Sequence, residues 1–427
     1  MFSRTIFLSC LLLFALVGCA KHNTILPKDA KLFEQEDEYI LYAIEYTNQG
    51  KYNISRDLYY TLFEKTQKYE YLLRSLRFSL EIKDFQTAKE WAFKHLNKDV
   101  PEYEEVYRIY IVALINLYEY DEALKHSKQL LQEFNNILNY ELIGNVYYIK
   151  KDFYEAAEYF ESAYSQNANP NTLLNLVNIL YSFINEKQKA ISYLETHIRL
   201  KSCEIAVCTK LLAIYEEQQN IDGIISILKR MYNQFKYEED FTSMIKAYNM
   251  LIDYLEQKDI HLAIAFLEEN HIDDMKLIAL YKRANKIEEA LTLVKNVYKL
   301  NKNIDLLAQV AILEFELAKD KRSVLKSVIQ KFEDVLAVLD NHIYQNYLGY
   351  ILIDYEIDVN QGVGLVKKAL EKAPNNLAYI DSLAWGLYKQ NRCKEAYTHM
   401  KKIVDAIGLN DEEIKLHWKK IQECSKK

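Results

Sequence analysis

The sequence predicts an all-α chain, an α-α superhelix of about eleven stacked helix pairs closed by a C-terminal helix. Three observations predict it. Mostly small residues recur in one register at Ser55, Ala88, Ala123, Ala156, Ala190, Ile224, Ala263, Ala290, Leu325, Gly362 and Ala396. The gaps are 33, 35, 33, 34, 34, 39, 27, 35, 37 and 34, and a period near 34 is the length of one helix-turn-helix repeat. Turn punctuation is sparse, with 9 Gly and 4 Pro in 427 residues, which suits helices better than a sheet. From Leu32 onward the apolar residues follow a helical spacing: Tyr39, Ala43 and Tyr46 share one face of a first helix that ends at Gly50.

Each repeat of such an array buries its apolar face only against its neighbours, so length measures reach and not the number of domains. Eleven pairs at one helix diameter each predict a span of about 100 Å. The formal charge of −7 and the absence of a long basic block exclude a general attraction for nucleic acid.

The first eighteen residues read as a signal peptide, with Arg4 as the positive end and Ile6 to Val17 as an apolar run too short to span a bilayer. Its end, Leu16-Val17-Gly18-Cys19, resembles the lipobox of bacterial lipoproteins. That resemblance implies cleavage before Cys19, a lipid on its thiol, and stable anchoring by several acyl chains. Removing residues 1–18 takes away only Arg4 and leaves −8. Ala20 and Lys21 follow the cysteine, and the enteric sorting rule then implies an outer-membrane protein facing the periplasm. Residues 19–31, with Pro27, form a short tether.

The clearest repeat runs from about Ile137 to Pro170. Tyr140, Ile143, Gly144, Tyr147, Ala156, Phe160 and Ala163 resemble the tetratricopeptide (TPR) consensus, with Tyr140 where that family has Trp and Pro170 two residues beyond its usual proline. Gly144 and Ala156 are expected at the closest approach of the two helices, and Tyr147 and Phe160 between successive pairs. A second good match holds Leu348, Gly349, Ala369 and Pro374, then Tyr379, Leu383, Ala384, Leu387 and Ala396. Gly349 and Gly362 are 13 apart where the family has 12, which implies a one-residue insertion. The expected organisation is a TPR array over 32–236, irregular TPR-like pairs with a hinge over 237–340, a C-terminal pair over 341–408 and a capping helix over 409–427. Asn410 and Glu413 resemble a capping box, and Ile414, Trp418 and Ile421 fall on one face of that last helix.

No catalytic signature is present: there is no HExxH, phosphate loop, Gly-x-Ser-x-Gly or calcium-loop spacing. The nine His are dispersed over different repeats and read as surface or core positions. Neither an enzyme, a cofactor, a metal nor a small-molecule substrate is expected. Four cysteines remain beyond the signal and the lipid site, Cys203, Cys208, Cys393 and Cys424, and in an oxidising compartment they allow two disulfides in three connectivities. Cys203 with Cys208 requires Cys203 to lie in the turn before a helix, and Cys393 with Cys424 would staple the capping helix. Metal binding with His197 is the lesser alternative. The 35 Tyr are expected mainly at packing positions.

The TPR resemblance implies partner binding through first-helix positions two, five, nine and twelve of each repeat. On this chain these are Glu141, Asn145 and Tyr148, then Asn175 and Ile179, and toward the C-terminus Asn346, Tyr350, Asp381, Trp385 and Tyr388. The implied function is a lipid-anchored, non-catalytic scaffold for other envelope proteins in outer-membrane assembly, secretion or export, or a flagellar motor. The alternative is a regulator that holds a periplasmic cell-wall enzyme in the groove.

Overall fold

The structure, a computed structural model, describes residues 33–426. The signal segment, Cys19 and the tether up to residue 31 lie outside the described residues. Among the described residues there are 23 α-helices and no strand, and the chain divides into two compact units between Glu217 and Gln218.

The first unit pairs α1 (Glu36–Asn48) with α2 (Tyr52–Thr66), α3 (Tyr69–Glu81) with α4 (Phe85–Lys94), and α5 (Tyr103–Asn116) with α6 (Tyr120–Glu133). It continues with α7 (Ile137–Lys150) and α8 (Phe153–Gln166), then α9 (Pro170–Ser182) and α10 (Lys187–Leu200), and ends with α11 (Ile205–Glu217). The second unit opens with α12 (Ile221–Tyr237), followed by α13 (Phe241–Lys258) with α14 (Ile260–Asn270), and α15 (Asp274–Arg283) with α16 (Ile287–Asn301). Then come α17 (Ile304–Leu317) with α18 (Lys321–Leu336), α19 (His342–Asp354) with α20 (Val359–Lys372), α21 (Leu377–Lys389) with α22 (Cys393–Ile407), and the closing α23 (Glu412–Ser425).

The 34-residue register has one structural meaning. All eleven of its residues are buried, and each is the fourth residue of an even-numbered helix except Leu325, the fifth of α18. The amide of the fourth residue can reach back to the N-cap carbonyl, as Ala88 does to Asp84 at 3.1 Å and Ala396 to Arg392 at 3.0 Å. One full turn into the helix, its side chain faces the partner helix, where little volume is tolerated. The gap of 39 before Ala263 reflects the 18-residue α13, and the gap of 27 after it reflects α14 and α15, with only 11 and 10 residues.

Turns inside the pairs explain how the chain manages with so little glycine. Gly50, Lys83, Tyr118, Lys151, Asn185, Gln219, Asn285 and Asn391 each directly precede an N-cap and adopt a left-handed backbone, so seven side-chain-bearing residues accept strain that glycine would avoid. Before α20 the left-handed residue is Glu356 and Ile357 stands between it and the N-cap Asp358. That is the inserted residue inferred from the spacing of Gly349 and Gly362.

Asn and Asp side chains start many helices by accepting from the first free amides: Asp84 from Thr87, Asn136 from Asn139, Asn376 from Ala378 and Tyr379. Asn169 does so for α9, with Pro170 in the first helical position. At the closing helix the expected cap at Asn410 is corrected to Asp411. Its Oδ1 accepts from Glu413 and Ile414 at 2.9 and 3.0 Å, because the helix begins one residue later. Ile421 is fully buried there, and Ile414 and Trp418 pack on the same cluster.

Tyrosine is used as a tie as well as a filler. Tyr71 donates to Glu36 at 2.8 Å, Tyr281 to Glu268 at 2.7 Å and Tyr344 to Asp305 at 2.5 Å, while Tyr193 donates to Glu161 and Tyr215 to Glu195. Each ring fills an apolar space and its hydroxyl reaches a carboxylate on another helix. Phe160 is buried in the same pair as Gly144, where a β-carbon would lie 3.0 Å from the ring. The glycine of that repeat therefore makes room for an aromatic ring within the pair.

Candidate protein-binding faces

In the first unit the predicted groove residues lie on α7 and α9. Glu141 is partly buried and accepts a hydrogen bond from the Thr172 hydroxyl of α9, which fixes its carboxylate between the two helices. Tyr148 is half-buried and packs edge-on against Phe153 at 5.8 Å and Phe183 at 5.5 Å. Asn145 and Asn175 are exposed, each with an amide that can donate and accept at once. Ile179 is corrected: it is 1% exposed and belongs to the core of α9. Its side chain turns toward the neighbouring helices and cannot meet a partner.

The same face carries polar ties that the sequence reading passed over. Arg77 of α3 pairs with Glu105 of α5. Glu104 accepts from Arg108 at 2.5 Å, Asn136 at 2.7 Å and Asn139 at 3.0 Å. Asn139 is fully buried, so this network is satisfied internally and positions α7 on α5.

In the second unit the predicted residues of α19 and α21 converge at the closing helix. Asp381 is 6% and Trp385 7% exposed, because α23 lies against them. As direct partner contacts they are therefore corrected: His417 of α23, 2% exposed, stacks on the Trp385 ring at 4.1 Å and its Nδ1 lies 3.0 Å from both carboxylate oxygens of Asp381. Trp385 Nε1 donates to Asp354 at 3.0 Å, and Tyr388 stacks on the indole at 4.8 Å. Tyr350 donates its hydroxyl to Glu413. Burial, that hydrogen bond and the charges of Asp354, Glu413 and Asp381 hold the Tyr350 hydroxyl far above the ordinary tyrosine range.

What stays open beside this cluster is a cleft of about 370 Å³ lined by Asn346, Tyr350, Asp381, Ser382, Asp411 and Glu413 with apolar side chains from α21 and α22. Asn346 Oδ1 is buried there without a hydrogen-bond partner. Among the described residues no lysine or arginine lines the cleft. His417 and Glu413 carried a signal that sequence reasoning missed: they are four residues apart, as are Asp381 and Trp385, so each pair shares one helix face. Among the described residues, Asp381, Glu413 and His417 form a group that could hold a cation.

The cysteines fall into two pairs. Cys203 lies in the turn before α11 and is joined to Cys208, with Cα atoms 5.6 Å apart; Cys393 at the start of α22 is joined to Cys424 of α23, with Cα atoms 5.5 Å apart.

No family model matches the chain, and no curated protein matches it. Solved structures do. The Cut9-Hcn1 APC/C hetero-tetramer is 14% identical, with a TM-score of 0.37, over 91% of this chain and 96% of that one. TTC0263, a thermophilic TPR protein of Thermus thermophilus, is 16% identical with a TM-score of 0.33, over 42% and 98%. Pseudomonas aeruginosa pilF is 18% identical with a TM-score of 0.36, over 49% and 95%. At these identities and TM-scores the likeness assigns this chain neither a family nor a partner. The chain is a TPR-like, all-α repeat protein on its own geometry: paired helices, a buried residue one turn into each second helix, and left-handed turns between.

Proposed function

We propose that the chain is a non-catalytic scaffold, held on a membrane by lipid at Cys19, that positions other proteins of the cell envelope from the periplasmic side of the outer membrane. The observation that carries the reading is the first-helix face of α7 and α9. Asn145 and Asn175 are exposed and Tyr148 half-exposed beside a fixed Glu141, a set that can clamp a peptide backbone through amides and supply rigid apolar area. The acidic charge and the lack of a basic block favour protein over nucleic acid as partner. Among the described residues no helix is long and apolar enough to cross a membrane. Confinement to a surface would raise the local concentration of the array for partners on the same membrane.

Two measurements test this. Cys19→Ser should abolish palmitate labelling and release the protein from membranes; labelling that persists refutes the anchor. Affinity capture from detergent-solubilised envelopes should recover several structural proteins of one assembly, whether for outer-membrane assembly, secretion or export, or a flagellar motor. Recovery of a single cell-wall hydrolase or synthase would instead make the chain a regulator of that enzyme.

A further inference from the structure

We infer that Asp381, Glu413 and His417 form a binding site for one divalent transition-metal cation of the Zn²⁺ class, which clamps the closing helix α23 onto α21. The inference is independent of the lipid anchor and of any protein partner. One imidazole nitrogen and one oxygen from each carboxylate lie within 4.8 Å of one another. Donors around a single zinc at about 2.0–2.2 Å stand roughly 3–3.6 Å apart. Asp381 and His417 already meet that separation at 3.0 Å, and Glu413, exposed and on the same face of α23, closes the remainder by a change of rotamer.

Three features point to a ligand beyond the cluster itself. Asp381 is buried, yet its hydrogen-bond partner among the described residues is His417, and no lysine or arginine is paired with it. Buried carboxylates are ordinarily matched by a cation, and here two carboxylates, Asp381 and Glu413, face a single imidazole. Asn346 Oδ1 is a buried acceptor without a donor, lining the same cleft, and a cation or its bound water would satisfy it. The surroundings also hold the donors in place. Trp385, itself fixed by Asp354, stacks on the imidazole. Such outer contacts orient metal ligands. One imidazole with carboxylate oxygens and no thiolate favours Zn²⁺ over Ca²⁺ or Mg²⁺, which prefer all-oxygen sites.

The test uses the full chain, purified without reductant, stripped with EDTA and titrated with ZnCl₂ or CaCl₂ by calorimetry. One equivalent of Zn²⁺ should bind, raise the thermal midpoint and quench tryptophan fluorescence, with the quench lost in Trp385→Phe. His417→Gln and Glu413→Gln should each weaken Zn²⁺ binding by about tenfold or more. If His417→Gln disturbs the helical circular dichroism, the exposed Glu413→Gln carries the comparison. Absence of Zn²⁺ uptake, uptake unchanged in both variants, or preference for Ca²⁺ would overturn the assignment.

Discussion

Gly349 and Gly362 bring α19 and α20 into backbone contact. A β-carbon on Gly349 would stand 2.9 Å from the Gly362 carbonyl oxygen, and one on Gly362 would stand 2.7 Å from the Gly349 carbonyl oxygen. A flexible side chain can yield to such an intrusion, but a helix backbone has to translate.

Gly362→Ala should therefore destabilise the second unit by about 1–3 kcal/mol through overpacking. Gly364, two residues on in the same helix, has nothing within 4 Å of its β-carbon position. Gly364→Ala should stabilise by about 0.5–1 kcal/mol, because only the entropy of an exposed helical glycine is removed. Urea melts of the two variants should move in opposite directions; parallel shifts would mean that the helix crossing is not at Gly362.

The contrast marks how far the sequence was legible. The position of the crossing was readable, since a residue one turn into a second helix must be small or well packed, and the register found it in regular and irregular repeats alike. Leu325 missed by one residue because α18 starts after the extended Ala318. The groove was less readable. Register fixes which face of a first helix a residue occupies, but not whether another helix covers that face. Asp381 and Trp385 have the same register positions as Glu141 and Asn145, yet α23 covers the first two, while Asn145 is exposed.

Alkaline pH should unfold the protein through its tyrosines. Burial first, then the charges of Tyr103, Glu133 and Tyr110, push Tyr107 up to about 12; burial and Glu316 push Tyr347 up to about 12. A raised hydroxyl favours folding while it stays neutral. That contribution is complete below the unfolded value near 10 and is lost as pH rises toward 12. The thermal midpoint should be flat from pH 7 to about 9.5 and fall above about 10. Tyr347→Phe keeps the ring against Phe332, at 5.2 Å, and should shallow the fall; an identical alkaline slope would refute the assignment.

The two disulfides should differ in worth because they close loops of different length. Cys393 and Cys424 are 31 residues apart and Cys203 and Cys208 are 5 apart, for which chain entropy gives about 3–4 and about 2 kcal/mol. Cys393→Ser with Cys424→Ser should accelerate amide exchange throughout α23, since that helix is held at one end of the unit and opens locally. Exchange in α23 unchanged from the oxidised parent would show that the staple adds nothing to the packing of Ile421 and His417.

The binding face can be separated from the core on a single helix. Asn175 and Ile179 are one turn apart on α9, one exposed and one 1% exposed. Ile179→Ala removes buried methyl groups and should cost about 2–5 kcal/mol, so any loss of partner capture would follow loss of folded protein. Asn175→Ala with Asn145→Ala touches only solvent-facing amides and should leave stability within about 0.5 kcal/mol for each change. Capture should then fall severalfold while the melting curve stays put. Full capture by the double amide variant would remove the α7 and α9 face from the binding surface, whatever becomes of the anchor at Cys19.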